Sequence, residues 1–145
     1  MGDKVLVVDD ELLIRNVLAE HLTGQGYEVI QALSGEEAIE LASSTQPHVI
    51  LMDIGMPGLN GIEACRRLKA EEKTRHIPVI MMTGFLYEKE AAVEAGADDF
   101  INKPPDFAEL AFRLKSIRHV RHLTDELDRT VAYVDELQKN RSESS

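Results

Sequence analysis

The sequence predicts an α/β fold in which a doubly wound, five-stranded parallel sheet is covered by helices on both faces. One observation behind this prediction is that short apolar runs alternate with segments in which apolar residues recur at helical spacing. The other is that these runs contain few polar residues, which is typical of strands buried on both faces. In such folds ligands bind at the carboxyl ends of the strands.

The first half of the chain predicts three strands and two helices in alternation. The strands are predicted at residues 4–8, 27–32 and 48–52. The first helix carries Leu12, Leu13, Val17, Leu18 and Leu22 and ends near Gly24 and Gly26. Ser34 and Glu37 have the spacing of a capping box, so the second helix begins there and ends before Pro47.

The second half continues the alternation. A loop rich in Gly and Pro, GMPGLNG, leads into a helix that carries Ile62, Cys65 and Leu68. A strand at residues 79–82, a helix around residues 88–95 and a short strand at residues 99–101 follow. A last helix begins near Asp106. We expect Cys65, the single cysteine, to be a buried structural thiol.

Composition and charge favour a globular protein and exclude several classes of function. The chain has 145 residues, of which 43% are hydrophobic, which is enough to bury a core. A net charge of -10 and scattered Lys and Arg argue against direct nucleic-acid binding. We find no apolar run near the roughly 20 residues that cross a bilayer and no signal-peptide pattern. We therefore expect a soluble cytoplasmic protein without membrane contact.

Polar residues follow four of the predicted strands. Asp9 and Asp10 follow the first strand, Asp53 the third, Thr83 the fourth and Lys103 the fifth. Because these ends meet at one edge of a parallel sheet, the side chains should converge. Clustered carboxylates repel one another, and a divalent cation such as Mg²⁺ relieves that repulsion. Each residue alone has an ordinary structural explanation, such as a helix cap, but the combination favours a functional site.

Four segments in this order resemble the receiver (CheY-like) domain of bacterial two-component response regulators. They are VLVVDDE, VILMDIGMPGLNGIE, PVIMMTG and GADDFINKP, and the resemblance covers roughly residues 3–120. It implies a flavodoxin-like sheet of order 2-1-3-4-5 and a receiver domain at residues 1–121. It also implies a switch controlled by a sensor histidine kinase, with no turnover enzyme in this domain.

The resemblance assigns the phosphoacceptor and the metal ligands. Asp53 would accept a phosphoryl group from a phosphohistidine on the kinase. Asp10 and Asp53 would bind Mg²⁺ directly, Asp9 mainly through water, and the backbone carbonyl of Gly55 would complete the protein ligands. Gly55 and Phe85 lie where the family tunes the lifetime of the phosphoryl group. Since neither side chain activates water, we expect slow dephosphorylation.

The resemblance also assigns the switch and the phosphoryl pocket. Lys103 would place its ammonium on the phosphoryl group, and Thr83 would donate a hydrogen bond to it. Gly84 leaves room, and Pro104 follows Lys103 through a bond that the family usually holds in cis. Phe100 would turn inward when Thr83 moves, which carries the change to a partner or output domain.

Residues 122–145 are predicted to be a helical extension. Helical patterning continues beyond the receiver. Its possible heptad seam comprises Ile117, Val120, Thr124, Leu127, Val131, Val134 and Gln138, of which Thr124 and Gln138 are polar and weaken the pattern. This pattern slightly favours a coiled-coil homodimer over a solvated linker to an output domain.

Three other functions compete with a phosphorylation switch. One is a receiver-fold scaffold that works without phosphorylation. Another is the front fragment of a larger output enzyme, such as a cyclic-dinucleotide regulator. A phosphohydrolase with Asp53 as nucleophile is disfavoured, because its common pattern needs an aspartate where Gly55 stands.

Overall fold

A computed structural model describes the backbone of residues 2–85 and 87–144. The side chains at 87, 118, 120–129, 132, 136 and 139–144 lie outside this description. The strands are β1 Lys4–Val8, β2 Glu28–Ala32, β3 Val49–Asp53, β4 Val79–Thr83 and β5 Asp99–Asn102. The helices are α1 Leu12–Gly24, α2 Gly35–Thr45, α3 Gly61–Ala70, α4 Tyr87–Glu94 and α5 Phe107–Ser144.

The described strands form one parallel sheet in the order β2-β1-β3-β4-β5. This confirms the predicted fold class and strand order. The central strands β3 and β4 are buried at every position, as their unbroken apolar runs predicted. Each large side chain buried in this way contributes about 1.5–3 kcal/mol of transfer free energy.

The strands differ slightly from their predicted bounds. β3 and β4 extend to Asp53 and Thr83, which had been placed just beyond the strand ends. Both residues still pair across the sheet, Asp53 with Met82 and Thr83 with Asn102. The pattern of apolar side chains could not show where these strands end, because strand pairing depends on backbone hydrogen bonds.

Side-chain caps fix the starts of several helices. Ser34 Oγ accepts a hydrogen bond from the Glu37 backbone N–H at 3.1 Å, as the capping pattern predicted. Asn60 Oδ1 accepts from the Glu63 N–H at 2.9 Å at the start of α3. Asp106 precedes α5 and accepts from two backbone N–H groups of its first turn. These caps set where α2, α3 and α5 begin.

Cys65 is buried, as predicted, with its sulfur 3.6 Å from the Ala95 carbonyl oxygen. Burial raises the pKa of this thiol to about 11. The thiol is therefore protonated at neutral pH and unreactive. This agrees with the predicted structural role.

The chain divides into two compact units, Met1–Ala111 and Phe112–Ser145. Within the second unit Val131, Val134 and Leu137 are exposed. The side chains of Val120, Thr124 and Leu127, three members of the predicted seam, lie outside the described residues. The coiled coil therefore stays a prediction. Among the described helices, none combines the length and apolarity needed to cross a membrane.

Candidate functional site

Three aspartates meet at the carboxyl ends of β1 and β3. These strands are neighbours, with Val8 opposite Met52, so the residues that follow lie side by side. One carboxylate oxygen from each of Asp9, Asp10 and Asp53 lies within 4.8 Å of the others. Asp9 and Asp53 are buried whereas Asp10 is exposed. The cluster therefore reaches solvent through Asp10.

Lys103 supplies the positive charge within hydrogen-bond distance of this cluster. Its Nζ lies 2.8 Å from Asp53 Oδ2 and 3.9 Å from Asp9 Oδ2. Its backbone N–H donates to the Thr83 carbonyl at 2.9 Å, and the Lys103–Pro104 bond is cis, as predicted. Burial alone would lower the pKa of Lys103, but the hydrogen bond and charge of Asp53 outweigh it and raise the pKa above 10.5.

Asp9 shows that the electrostatics of the cluster are unbalanced. Its Oδ1 accepts from the Glu11 backbone N–H at 2.9 Å, but among the described residues its buried Oδ2 has no hydrogen-bond donor. Burial raises the pKa of Asp9 above 3.8, and the charges of Asp53 and Asp10 raise it further. The Glu11 hydrogen bond and Lys103 only partly oppose this. Three carboxylates sharing one ammonium fit a hard divalent cation.

Thr83 is buried at the end of β4, and its hydroxyl is bonded to the start of α4. Thr83 Oγ1 lies 2.6 Å from Glu88 Oε1 and 2.9 Å from the Phe85 carbonyl oxygen. It accepts from the Phe85 N–H at 3.1 Å. The sequence reasoning missed Glu88, because an acidic residue in the first turn of a helix is already explained by the helix dipole.

Gly55, which lies two residues after Asp53, and Gly84, which follows Thr83, both have open space where a side chain would begin. A Cβ added at Gly55 or Gly84 would find no described atom within 4 Å. The Gly55 N–H donates to Asp53 Oδ1 at 3.2 Å. The Phe85 side chain is 58% exposed, so it is not packed into the core. The phosphoryl pocket that the resemblance implied at Gly84 stays a prediction.

Phe100 lies in β5, opposite Met81 of β4. It is partly buried and packs against the core. Its neighbour strand ends at Thr83, the other residue of the predicted switch. The structure thus brings both switch residues to adjacent strands, while their coupled movement stays a prediction.

Two further residues that support the site were missed by the sequence analysis. A Cβ at Gly61 would lie 2.3 Å from the Asp53 carbonyl oxygen, so only glycine lets α3 begin against β3. Arg15 of α1 is buried and donates to the Asp9 carbonyl at 2.8 Å and to Gln31 Oε1 at 3.1 Å. The only sequence signal for Arg15 was a charged residue between the apolar positions of α1.

The chain matches the family described as response regulator receiver domain over residues 5–115. It is 38% identical over 129 residues to the response regulator PleD of Caulobacter vibrioides, covering 88% of this chain and 28% of PleD. It is 42% identical over 119 residues to the phosphate regulon transcriptional regulatory protein PhoB of Pseudomonas aeruginosa, covering 81% of this chain and 52% of PhoB. The chain thus spans about a quarter to a half of these relatives.

A solved receiver domain is similar to this chain in fold and sequence. The receiver domain of the sensor histidine kinase PA1611 from Pseudomonas aeruginosa PAO1 has a magnesium ion coordinated in its active site cleft. It aligns with a TM-score of 0.75 and 31% identity over 80% of this chain and 97% of that one. Together with the strand order and the acidic cluster beside a lysine, these matches show that the chain belongs to the response regulator receiver domain family.

Proposed function

We propose that Asp53 is the phosphoacceptor of this receiver and that a sensor histidine kinase supplies the phosphoryl group. One observation carries the proposal: the Asp53 carboxylate is buried, bonded to Lys103 at 2.8 Å and within 4.8 Å of the Asp9 and Asp10 carboxylates. An ammonium fixed beside the acceptor can stabilise the charge of an arriving phosphoryl group.

The proposed magnesium ligands are the carboxylates of Asp10 and Asp53 and the backbone carbonyl of Gly55. Asp9 would reach the ion mainly through water. The buried Asp9 Oδ2, which has no hydrogen-bond donor among the described residues, supports this assignment, since a cation or its water would satisfy that oxygen. When bound, Mg²⁺ neutralises carboxylate and phosphoryl oxygens.

In the proposed transfer, an Asp53 oxygen attacks the phosphorus of a phosphohistidine on the kinase. The new O–P bond forms while the N–P bond breaks, and the imidazole leaves with that electron pair. Lys103 exchanges its bond to Asp53 for one to a phosphoryl oxygen, and Thr83 donates to another. Gly84 provides room, and Pro104 belongs to the loop that carries Lys103.

The signal is proposed to leave through Thr83 and Phe100. Movement of Thr83 would open space into which the partly buried ring of Phe100 turns. Because β5 and the start of α4 adjoin these residues, their surface would change with phosphorylation. A partner or output domain would bind that surface.

We propose that residues 1–121 are the receiver and residues 122–145 a helical extension. The exposure of Val131, Val134 and Leu137 supports a homodimer through this helix, with a solvated linker as the alternative. The output domain or downstream protein would carry any turnover activity, including that of a cyclic-dinucleotide regulator. We further propose a cytoplasmic receiver that does not itself touch nucleic acid.

The test of the acceptor is phosphorylation by acetyl phosphate with Mg²⁺, followed by intact-protein mass spectrometry. We expect a gain of one phosphoryl group, which Asp53→Asn abolishes and chelation of Mg²⁺ prevents. The matched variant Asp99→Asn removes an aspartate outside the cluster and should keep the gain. No gain in the unaltered protein would favour the phosphorylation-independent scaffold, and a gain that survives Asp53→Asn would contradict the assignment.

A further inference from the structure

The Thr83 hydroxyl has a single proton, and its geometry assigns that proton to Glu88. The oxygen lies 2.6 Å from Glu88 Oε1 and 2.9 Å from the Phe85 carbonyl oxygen. The shorter distance is typical of a hydroxyl bonded to a carboxylate, and such bonds are roughly twice as strong as neutral ones. A hydroxyl cannot donate fully to a second acceptor at the same time.

This bond conflicts with the role proposed for Thr83. To donate to a phosphoryl oxygen on Asp53, the hydroxyl must take its proton away from Glu88. Thr83 is 2% exposed in this structure, so water has little access to its hydroxyl. In this exchange a charged phosphoryl oxygen replaces the charged Glu88 carboxylate as the acceptor, so the free energies of the two hydrogen bonds should be similar. A substitution of Glu88 should therefore shift the equilibrium between the two hydrogen bonds of Thr83.

We propose that Glu88 is a positioning residue that holds Thr83 in the resting state and thereby sets the threshold of the switch. This inference rests on the proposed function of Asp53 and Thr83. Glu88 lies in the first turn of α4, so release of Thr83 removes a contact between α4 and the end of β4. The event that completes the phosphoryl site thus also loosens the start of α4.

The test measures the affinity of the protein for beryllium fluoride, a phosphoryl mimic, in the presence of Mg²⁺. Binding is followed through the backbone amide signal of Phe85, whose N–H donates to Thr83 Oγ1. We expect Glu88→Ala to bind about tenfold more tightly, a change of 1.4 kcal/mol. Glu88→Gln should give a smaller gain, because its amide oxygen still accepts a hydrogen bond but carries no charge.

The matched control is Glu90→Ala. Glu90 shares the first turn of α4 and the same charge, but its side chain is exposed. Its replacement reports any effect of removing an acidic residue from this helix end. Affinity for the mimic should not change.

A double-mutant cycle separates the proposed role from a purely structural one. In a Thr83→Val background, which lacks the hydroxyl, Glu88→Ala should leave the affinity unchanged. An equal gain in both backgrounds overturns the inference, because Glu88 would then act without Thr83.

Two further outcomes separate this inference from the proposed function. If the unaltered protein does not bind the mimic, both the proposed function and the inference are overturned. If it binds but Glu88→Ala and Glu88→Gln do not tighten binding, the inference alone is overturned.

Discussion

Two lysine–aspartate pairs lie at opposite ends of the sheet, and their surroundings differ far more than their distances. At the carboxyl ends, Lys103 Nζ is 2.8 Å from Asp53 Oδ2. At the amino ends of β4 and β5, Lys69 Nζ is 2.9 Å from Asp98 Oδ2. The distances alone would assign the two pairs the same role.

In the pair at the amino ends, both side chains also form hydrogen bonds with backbone groups. Lys69 also donates to the carbonyl oxygens of Ile77 at 2.8 Å and Arg75 at 3.3 Å. Asp98 Oδ2 also accepts from the Val79 backbone N–H at 2.8 Å. This pair ties α3 to the starts of β4 and β5, which is a structural role.

The pair at the carboxyl ends leaves charge uncompensated. Lys103 faces Asp53 and Asp9, with Asp10 close by, and the buried Asp9 Oδ2 lacks a hydrogen-bond donor among the described residues. Uncompensated buried charge destabilises a protein unless a bound cation offsets it, and such charge is typical of binding sites. Uncompensated charge, rather than the ion-pair distance, therefore distinguishes the Lys103–Asp53 pair from the Lys69–Asp98 pair.

The largest expected difference is in phosphorylation rate. Lys103→Met should slow the reaction with acetyl phosphate about a hundredfold, because one fixed group that stabilises transition-state charge is typically worth that much. Lys69→Met should leave the rate unchanged. Mass spectrometry of samples quenched at successive times measures both rates. Equal slowing by both variants would remove the functional distinction between the two pairs.

The same substitution should change stability in opposite directions at the two ends. Asp98→Asn should lower the free energy of unfolding by about 1–3 kcal/mol, since it weakens two hydrogen bonds. Asp9→Asn, measured with chelator, should raise it by roughly 1 kcal/mol because it removes a repelled, buried charge. Urea denaturation measures both. Destabilisation by Asp9→Asn would show that the cluster is balanced without a cation.

A side chain added at Gly55, close to the proposed phosphoacceptor Asp53, should have a smaller effect. Gly55→Asn should shorten the lifetime of the phosphoryl group roughly tenfold, because an amide there can position water. Gly24→Asn, where an added Cβ also meets no described atom within 4 Å, should leave the lifetime unchanged. Loss of the phosphoryl mass with time measures both. An unchanged lifetime in Gly55→Asn would contradict the explanation of slow dephosphorylation.

The smallest expected effect is a pH dependence of the stability gained by Asp9→Asn. The pKa of Asp9 is raised by burial above 3.8, so the folded state binds this proton more tightly than the unfolded state. Stability from this group is therefore lost as pH rises from 3.8 through the folded pKa. The stabilisation by Asp9→Asn should thus grow with pH over that window, in urea denaturation without Mg²⁺. A gain that shrinks with rising pH would contradict the raised pKa.

Residues whose placement follows from strand order were predictable from the sequence. The buried runs ending near Asp53 and Thr83 indicated parallel strands, and such strands bring their carboxyl ends together. Lys103 could be added because a short strand precedes it. The roles of Gly84 and Phe100 depended on the family resemblance instead.

Residues whose role depends on side-chain direction were not predictable. Glu88 contacts Thr83 only because of where α4 begins, and Arg15 turns inward whereas Asn16 and Glu20 of the same helix are exposed. Gly61 is required by a close approach of α3 to β3, which periodicity does not reveal. Each of these residues also has an ordinary explanation in the sequence: the helix dipole for Glu88, the amphipathic pattern of α1 for Arg15 and the Gly-rich loop for Gly61.

The most direct test of the account is to locate the phosphoryl group. The protein is phosphorylated with acetyl phosphate and Mg²⁺, the acyl phosphate is reduced with borohydride to homoserine, and peptides are sequenced by mass spectrometry. We expect homoserine at Asp53 and unchanged aspartate at Asp9, Asp10 and Asp98. Homoserine at another position, with Asp53 unchanged, would contradict it.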